Sequence, residues 1–350
     1  MGVTAQVSSG HVSTGHSAAA LLERAARRAL LAPSIHNTQP WRFVLTGDAL
    51  EIRADPSRRL DVLDPRGRQL VISCGCALLH ARITLQAAGH EPVVHRFPNP
   101  QDPELVARVE VGPVGTFPGS GSLDHAIDQR RTNRRQFIGD PLPQQLILHL
   151  QWIAHTEGAV LVPAVSPEAV AAVADTSAFA DDIEMADAGY LAEIAAWTTD
   201  DPRRCDGVQM ASVPRNGGGS SEGPMVREFD LDGLGWLPTP ARETNRQTLL
   251  LLCARGDDER TWLRTGEALE RIWLTLTDAG FSASPLTQAV EVRSAHRMLQ
   301  ERLGLSAIPQ ILLRAGQAPQ AAASRRRPAR EVITTRPATT ADPTPQGGTP

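Results

Sequence analysis

Ala32-Pro-Ser-Ile-His-Asn-Thr-Gln-Pro-Trp-Arg-Phe43 is the stretch whose reading decides the fold. A helical pattern runs into Pro33, whose ring cannot continue a helix and which biases Ala32 towards extended geometry. Ser34, His36, Asn37, Thr38 and Gln39 then crowd hydrogen-bonding groups into the next few positions. Pro40 re-aims the chain, and Trp41-Arg-Phe-Val-Leu45 reads as the start of a strand. By itself this pattern also fits a polar helix-to-strand loop capped by a core tryptophan.

On the N-terminal side, Ser17 is a suitable cap for a helix over 17–31, with Leu21, Leu22, Ala25 and Ala29 as its buried stripe. Residues 1–16 are rich in Ser, Gly, Thr and Val without periodicity and read as a disordered arm. On the C-terminal side, strands are expected at 41–45 and 49–54 around the Gly47-Asp48 turn, then a helix over 69–88. That helix carries Cys74, Cys76 and His80, which read as buried small groups on an apolar helix rather than a metal site. Strands at 93–96 and 105–111 follow.

The chain then repeats itself. Residues 75–89, GCALLHARITLQAAG, align without gaps with residues 266–280, GEALERIWLTLTDAG, with seven of fifteen positions identical. Chance gives about one or two identities at ordinary residue frequencies. The constant offset of 191 pairs Gly75 with Gly266, where two long helices can approach closely. The expectation is an α+β fold of two related halves that pack as a dimer packs. The arm covers 1–16, the first half 17–126, the second 127–333 and a disordered tail 334–350. Helices are expected over 142–155, 168–180 and 190–197, a buried strand over 247–254, a long helix over 261–279 and a strand over 308–314. Residues 198–237, with Arg215-Asn-Gly-Gly-Gly-Ser-Ser-Glu-Gly-Pro224, are too rich in Gly and Pro for regular structure and read as a lid or disordered loop.

The opening stretch resembles the "APSxxNxQPWxF" signature of the nitroreductase superfamily, flavoproteins that bind FMN. Arg130-Arg-Thr-Asn-Arg-Arg-Gln-Phe137 resembles the family's "RRSxRxF" entrance with one extra residue before Phe137, though four arginines in six residues also fit a solvated charge run. Pro285-Leu-Thr-Gln288 falls where the family has a "PxEG"-like turn, and Arg326-Arg-Pro-Ala-Arg-Glu-Val332 resembles its "RxPxxEV" ending. The resemblance implies a sandwich of antiparallel sheet and helices, with FMN as cofactor and NAD(P)H as electron donor. It places Arg130 and Thr132 on the phosphate side, Arg134 at the N1/O2 end of the flavin ring, and Arg131 and Asn133 beside them among the cofactor contacts. Ser34, His36 and Asn37 would form a loop reaching across the interface, with Gln39, Pro40, Trp41 and Arg42 behind it. Pro285, Leu286, Thr287 and Gln288 would form the turn whose backbone amide, that of Gln288, faces N5. Arg326 and Arg327 would add phosphate contacts, unless they belong to a solvated basic tail.

Only the first half carries the QPW loop, and only the second carries the arginine entrance, so the chain has the parts for one flavin site and is expected to be a monomer. Two departures stand out: Thr287-Gln288 replaces the family's small acidic-then-Gly pair, and the 198–237 segment has no counterpart in short members. The implied activity is hydride transfer through flavin N5 to a small acceptor such as a nitroaromatic or quinone. The alternative is an FMN-storage or redox-sensing protein with an occluded flavin.

Composition narrows the remaining classes. A hydrophobic share of 41%, a charged share of 21% and a net charge of −4 offer no basic field for nucleic acid. All 35 basic residues are arginine, so Schiff-base chemistry through lysine is excluded. No run is read as long enough to span a membrane. The four cysteines, including Cys205 and Cys253, form no CxxC motif, and a cytoplasmic location is expected.

Overall fold

The computed structural model describes residues 17–215, 227–231, 235–237 and 246–336. The expected arm at 1–16, the glycine run from 216 and the tail from 337 lie outside the described residues.

The first half begins with α1 (Ala18–Ala29), where the Ser17 hydroxyl accepts the Ala20 amide at 3.3 Å and the expected stripe is buried. It continues through β1 (Trp41–Leu45), β2 (Ala49–Ala54), α2 (Arg68–Ala87), β3 (His90–Arg96), β4 (Leu105–Val114) and α3 (Ser120–Gln129). The second half runs through α4 (Gln144–Thr156), β5 (Val160–Ala164), α5 (Pro167–Met185), α6 (Ala188–Ala196), β6 (Thr198–Thr199) and β7 (Val208–Gln209). Then come β8 (Thr248–Ala254), α7 (Glu259–Asp278), β9 (Ser282–Leu286), α8 (Gln288–Glu291), α9 (Arg293–Arg302), β10 (Ile308–Gly316), α10 (Ala329–Val332) and β11 (Ile333–Thr335).

The architecture is α+β, and its two main sheets share one topology. The first contains β1-β2-β4-β3 and the second β5-β8-β10-β9, each antiparallel throughout these four strands. In each, a hairpin leads into a long helix and two further strands return, the last beside the second. The halves differ inside the hairpin: β1 and β2 are joined by 46–48, whereas β5 and β8 are joined by 165–247, which contains α5, α6, β6 and β7.

Several expectations change. β9 was not expected as a strand: Ser-Ala-Ser-Pro-Leu has poor strand propensity, and it forms at the sheet edge, where a proline costs no ladder bond. Thr334 and Thr335, expected in the disordered tail, instead lie parallel to Val44 and Leu45, so the end of the second half completes the sheet of the first. The segment 198–237 is not structureless where described: Val208, Met210, Val213 and Phe229 join Leu60, Leu63, Tyr190 and Ile194 in a separate small core. Helix α2, with mean hydropathy 1.4, is long and apolar enough to cross a membrane, contrary to the reading of the sequence. Of its most apolar 18-residue stretch, 83% is buried inside the protein, which accounts for its composition.

Helices α2 and α7 form the central contact. A Cβ at Gly75 would sit 2.1 Å from the Leu263 carbonyl oxygen and 2.9 Å from the Gly266 Cα. A Cβ at Gly266 would sit 2.0 Å from the Ile72 carbonyl oxygen and 2.8 Å from the Gly75 Cα. The two clashes are images of each other under the 191-residue offset. Backbone on both sides leaves no flexible atom to move aside. Gly75→Ala and Gly266→Ala are each expected to destabilise by about 2 kcal/mol or more, because overpacking outweighs the ~1 kcal/mol that Ala gains over Gly in a helix. Urea denaturation tests this; a midpoint at the wild-type value would show that the helices separate without cost.

Candidate functional site

The loop that opens the first half is held in rare backbone geometry. His36, Asn37 and Gln39 have φ of 43°, 55° and 50°. Non-glycine residues adopt such angles only where the surroundings over-determine them. Here the Gln39 amide donates to the Ser34 hydroxyl at 2.9 Å, and its side chain donates to the Cys205 carbonyl at 2.9 Å. The Gln39 side-chain oxygen accepts the Arg327 amide at 2.8 Å. Asn37 donates to the Gly207 and Arg325 carbonyls and accepts from Arg326. Gln39 and Asn37 therefore tie the loop to residues of 198–237 and to the C-terminal segment.

The arginine entrance is pinned to the edge of the second sheet. Thr132 bridges to Ala283, and the Asn133 amide donates to the Ala283 carbonyl at 3.0 Å. The Asn133 side chain donates to the Ser282 hydroxyl and the Pro319 carbonyl. This docking carries Thr132 and Arg134 to the turn after β9.

A cavity of about 720 Å³, counted out to open solvent, lies where these segments meet. Ser34 and His36 reach it from the first half, Thr132 and Arg134 from the arginine entrance, and Pro285, Thr287 and Gln288 from the β9 turn. Ile72, Cys76, Leu269 and Trp273, from the two central helices, form its apolar wall. Arg227 and Phe229 also border it. Sequence reasoning missed Arg227, Phe229 and Trp273. Trp273 sits in the repeated helix and was legible as an apolar position, whereas nothing local marks Arg227 or Phe229 as buried.

Not every candidate reaches the cavity. Trp41 is fully buried in the core, tilted against Phe43, and Leu286 is buried in the second sheet. The Pro40 carbonyl accepts from the Cys74 thiol and the Asp55 amide. Arg42, on β1, is half exposed on the other side of that sheet's first strand, 3.8 Å from Asp55 and 3.6 Å from Glu104, so it is not brought to the cavity. Asn37 and Gln39 act as ties rather than as walls.

Arg130, Arg131 and Arg326 gather beside the Pro33 and Trp273 end of the cavity. Arg326 donates to the Leu31 and Ala32 carbonyls at 3.1 Å. The Arg130 guanidinium stacks on Trp273 at 4.7 Å, and Arg131 donates to the Arg130 carbonyl. Burial and then Arg130 lower the Arg326 pKa to about 9. Nε and Nη1 of Arg130 and Nε of Arg326 have no hydrogen-bond partner among the described residues, although Arg130 Nε lies 3.2 Å from the Glu270 carboxyl. Arg327 lies further out, its pKa lowered by burial and by Arg58. At the other end, burial lowers Arg134 to about 10. Arg314, which the sequence reading did not single out, is lowered to about 9 by burial and then by Arg134. Arg130 and Arg314 are buried and Arg134, Arg326 and Arg327 half-buried, each close to another arginine, an arrangement that favours a bound anion.

The roof has its own charges. Arg227 is 3.3 Å from Glu184 and also contacts Glu291 and the hydroxyl of Tyr190, the chain's single tyrosine. Phe229 meets the His36 ring edge-on at 5.2 Å and lies under the Arg134 guanidinium at 5.1 Å. Burial, Arg227 and Arg134 all push the His36 pKa well down, so His36 is neutral at ordinary pH. Burial is the largest cause raising Glu184 from 4.5 to about 7; Arg227 opposes it and Glu291 reinforces it. A carboxyl whose pKa rises on folding adds stability that is complete at low pH and is lost as pH climbs. Stability should therefore decline between about pH 4.5 and 7, and Glu184→Gln should flatten that decline. Urea midpoints across this window test the assignment, and an unchanged slope in the variant would reject it.

No protein-family model matches the chain. A Mycobacterium tuberculosis protein named "Putative NAD(P)H nitroreductase Rv3131" is 33% identical over 295 residues, 83% of each chain. Another from the same organism, named "Putative NAD(P)H nitroreductase acg", is 29% identical over 318 residues, 89% of this chain and 95% of that one. Among solved structures, the FMN- and NADPH-dependent nitroreductase NfnB of a Sphingopyxis strain shares 16% identity and covers 60% of this chain and 97% of its own, with a TM-score of 0.39. The structural likeness is distant; the sequence relationship decides the matter. The chain belongs to the nitroreductase family.

Proposed function

We propose that the protein is an FMN-dependent oxidoreductase that takes electrons from NAD(P)H and delivers them to a small acceptor such as a nitroaromatic or quinone. The supporting observation is that three motif segments, from both halves of the chain, converge on one cavity flanked by buried guanidiniums. The residues present fit FMN. Its phosphate needs directional cations, and Arg130 Nη1 and Arg326 Nε, which have no hydrogen-bond partner among the described residues, lie beside the cavity. Its pyrimidine edge favours positive charge, and Arg134 borders the cavity with Arg314 behind it.

When bound, FMN supplies hydride acceptance and donation at N5. Arg130, Arg131, Thr132, Arg326 and Arg327 would hold the phosphate. Arg134, backed by Arg314, would favour the reduced ring electrostatically. The turn from Pro285 to Gln288 would present a backbone amide to N5, and Ser34 and His36 would close the first-half side. Ile72, Leu269 and Trp273 exclude water from the apolar wall. One site from two complementary halves implies one FMN per chain and a monomer in solution.

Phe229 favours a second reading. It is buried between His36 and Arg134, on a segment anchored through Arg227, and lines the cavity. A flavin held against this ring would be less open to NAD(P)H and acceptor, as in a storage or redox-sensing protein with little turnover.

The protein should purify yellow with one FMN per chain and the mass of one chain by light scattering. Two flavins per chain, or none after reconstitution, would reject the single-site arrangement. Arg134→Ala should lower the flavin reduction potential while leaving the stoichiometry intact. Anaerobic NADPH should bleach the flavin faster in Phe229→Ala than in wild type if access limits turnover. A Phe229→Ala protein that keeps its FMN yet stays oxidised would favour storage or sensing.

A further inference from the structure

The cluster around Arg130 contains a pair that the flavin motifs do not involve. His80 on α2 and Glu270 on α7 are wholly buried, with His80 Nε2 and Glu270 Oε1 2.7 Å apart. His80 Nδ1 lies 3.0 Å from the Arg28 carbonyl oxygen. The same Glu270 Oε1 is 3.2 Å from Arg130 Nε.

Proton accounting settles the charge of this pair. A carbonyl oxygen only accepts, so Nδ1 carries a proton. The Nε2 and Oε1 atoms then share a second proton, giving either imidazolium with carboxylate or neutral imidazole with carboxylic acid. Both states have zero net charge. Glu270, placed against Arg130 like a counterion, is therefore already neutralised at the same oxygen by His80. An ionised Glu270 facing a neutral His80 would instead pair fully with Arg130 and compete with any incoming anion.

We propose that His80, from inside the contact between α2 and α7, holds the proton that neutralises Glu270 and so keeps Arg130 an uncompensated cation for the phosphate of the bound flavin. The proposal rests on the FMN reading above and makes His80 and Glu270 positioning residues for that anion.

The surrounding charges are consistent with this role. From α1, Arg28 points its side chain to Asp124 and Asp128 and leaves only its carbonyl to His80. From α3, Asp124 is engaged by Arg24, Arg28 and Thr84. Beyond α3 and from the C-terminal segment come further cations, Arg131 and Arg326. On α2, one turn from His80, the Cys76 thiol is pushed up by burial and stays protonated.

The readout is the ratio of riboflavin to FMN dissociation constants, which isolates the phosphate. It is measured for wild type, His80→Gln, Glu270→Gln and the double variant H80Q/E270Q. His80→Gln should lower the ratio about tenfold, the scale of one charge-assisted contact. Glu270→Gln should leave the ratio at or above wild type, and adding it to His80→Gln should restore the ratio. A merely structural role for His80 predicts equal loss for both flavins and no rescue, which would overturn the proposal. In the apo protein labelled with 15N-histidine, Nδ1 of His80 should be protonated; a bare Nδ1 would equally overturn it. If wild type binds neither flavin, the FMN reading fails separately. Inorganic phosphate then serves as the probe, through its effect on Tm at constant ionic strength in the same four proteins. Loss of the phosphate effect in His80→Gln and its return in the double variant would support the anion site; a wild type indifferent to phosphate would remove it.

Discussion

The approach of α2 to α7 at Gly75 and Gly266 is the constraint on which the rest depends. Each glycine faces backbone of the opposite helix, so the helices meet closer than any Cβ would allow. Each helix connects the strands of its own sheet, and their contact therefore fixes the two sheets relative to each other. The loop at Ser34 and His36 and the turn at Pro285 to Gln288 arrive at one cavity for this reason. Its apolar wall is the cavity-facing side of the helix pair.

The approximate symmetry is broken at two places. The β1 edge is completed by β11, whereas the hairpin of the second half is opened by 165–247. From that insertion come Arg227 and Phe229, which border the cavity, and a satellite core under α6. The core packs the insertion against Leu60 and Leu63 of the first half, and Arg227 contacts Glu184 and Tyr190 on α5 and α6 of the same insertion and Glu291 on α8 outside it. Displacing the described residues around Arg227 and Phe229 would thus expose buried charge as well as apolar surface.

A chain without lysine assembles its cationic sites from guanidinium groups, which stay charged when buried and stack on rings. Arg130 lies over Trp273, Arg134 over Phe229 and Arg314 over Phe137. Stacking partly offsets the loss of water without neutralising the charge. Such groups remain electrostatically available to an anion while occupying defined positions.

Much of the fold was legible in the sequence because it rests on local rules. Pro33 ends α1, Ser17 caps it, and the seven identities between 75–89 and 266–280 mark the helices that meet. The strand β9 was not legible, since Ser282–Leu286 has little strand propensity and forms by pairing with β10. The ordering of Thr334 and Thr335 likewise depends on an open edge supplied by β1, far away in the chain. For the site, motif residues such as His36 and Arg134 could be named from sequence. Alternation along β1, by contrast, separates buried Trp41 from half-exposed Arg42, although both belong to one motif. The burial of Arg227 by Glu184, Glu291 and Tyr190, and the meeting of His80, Glu270 and Arg130, join residues distant in the chain. By itself the sequence determined the family signature, the repeat and the absence of lysine, because these are properties of residues and spacing. Which charges face each cation and which aromatic ring lines the cavity only the tertiary structure decided, because burial and neutralisation exist only once distant segments are packed together.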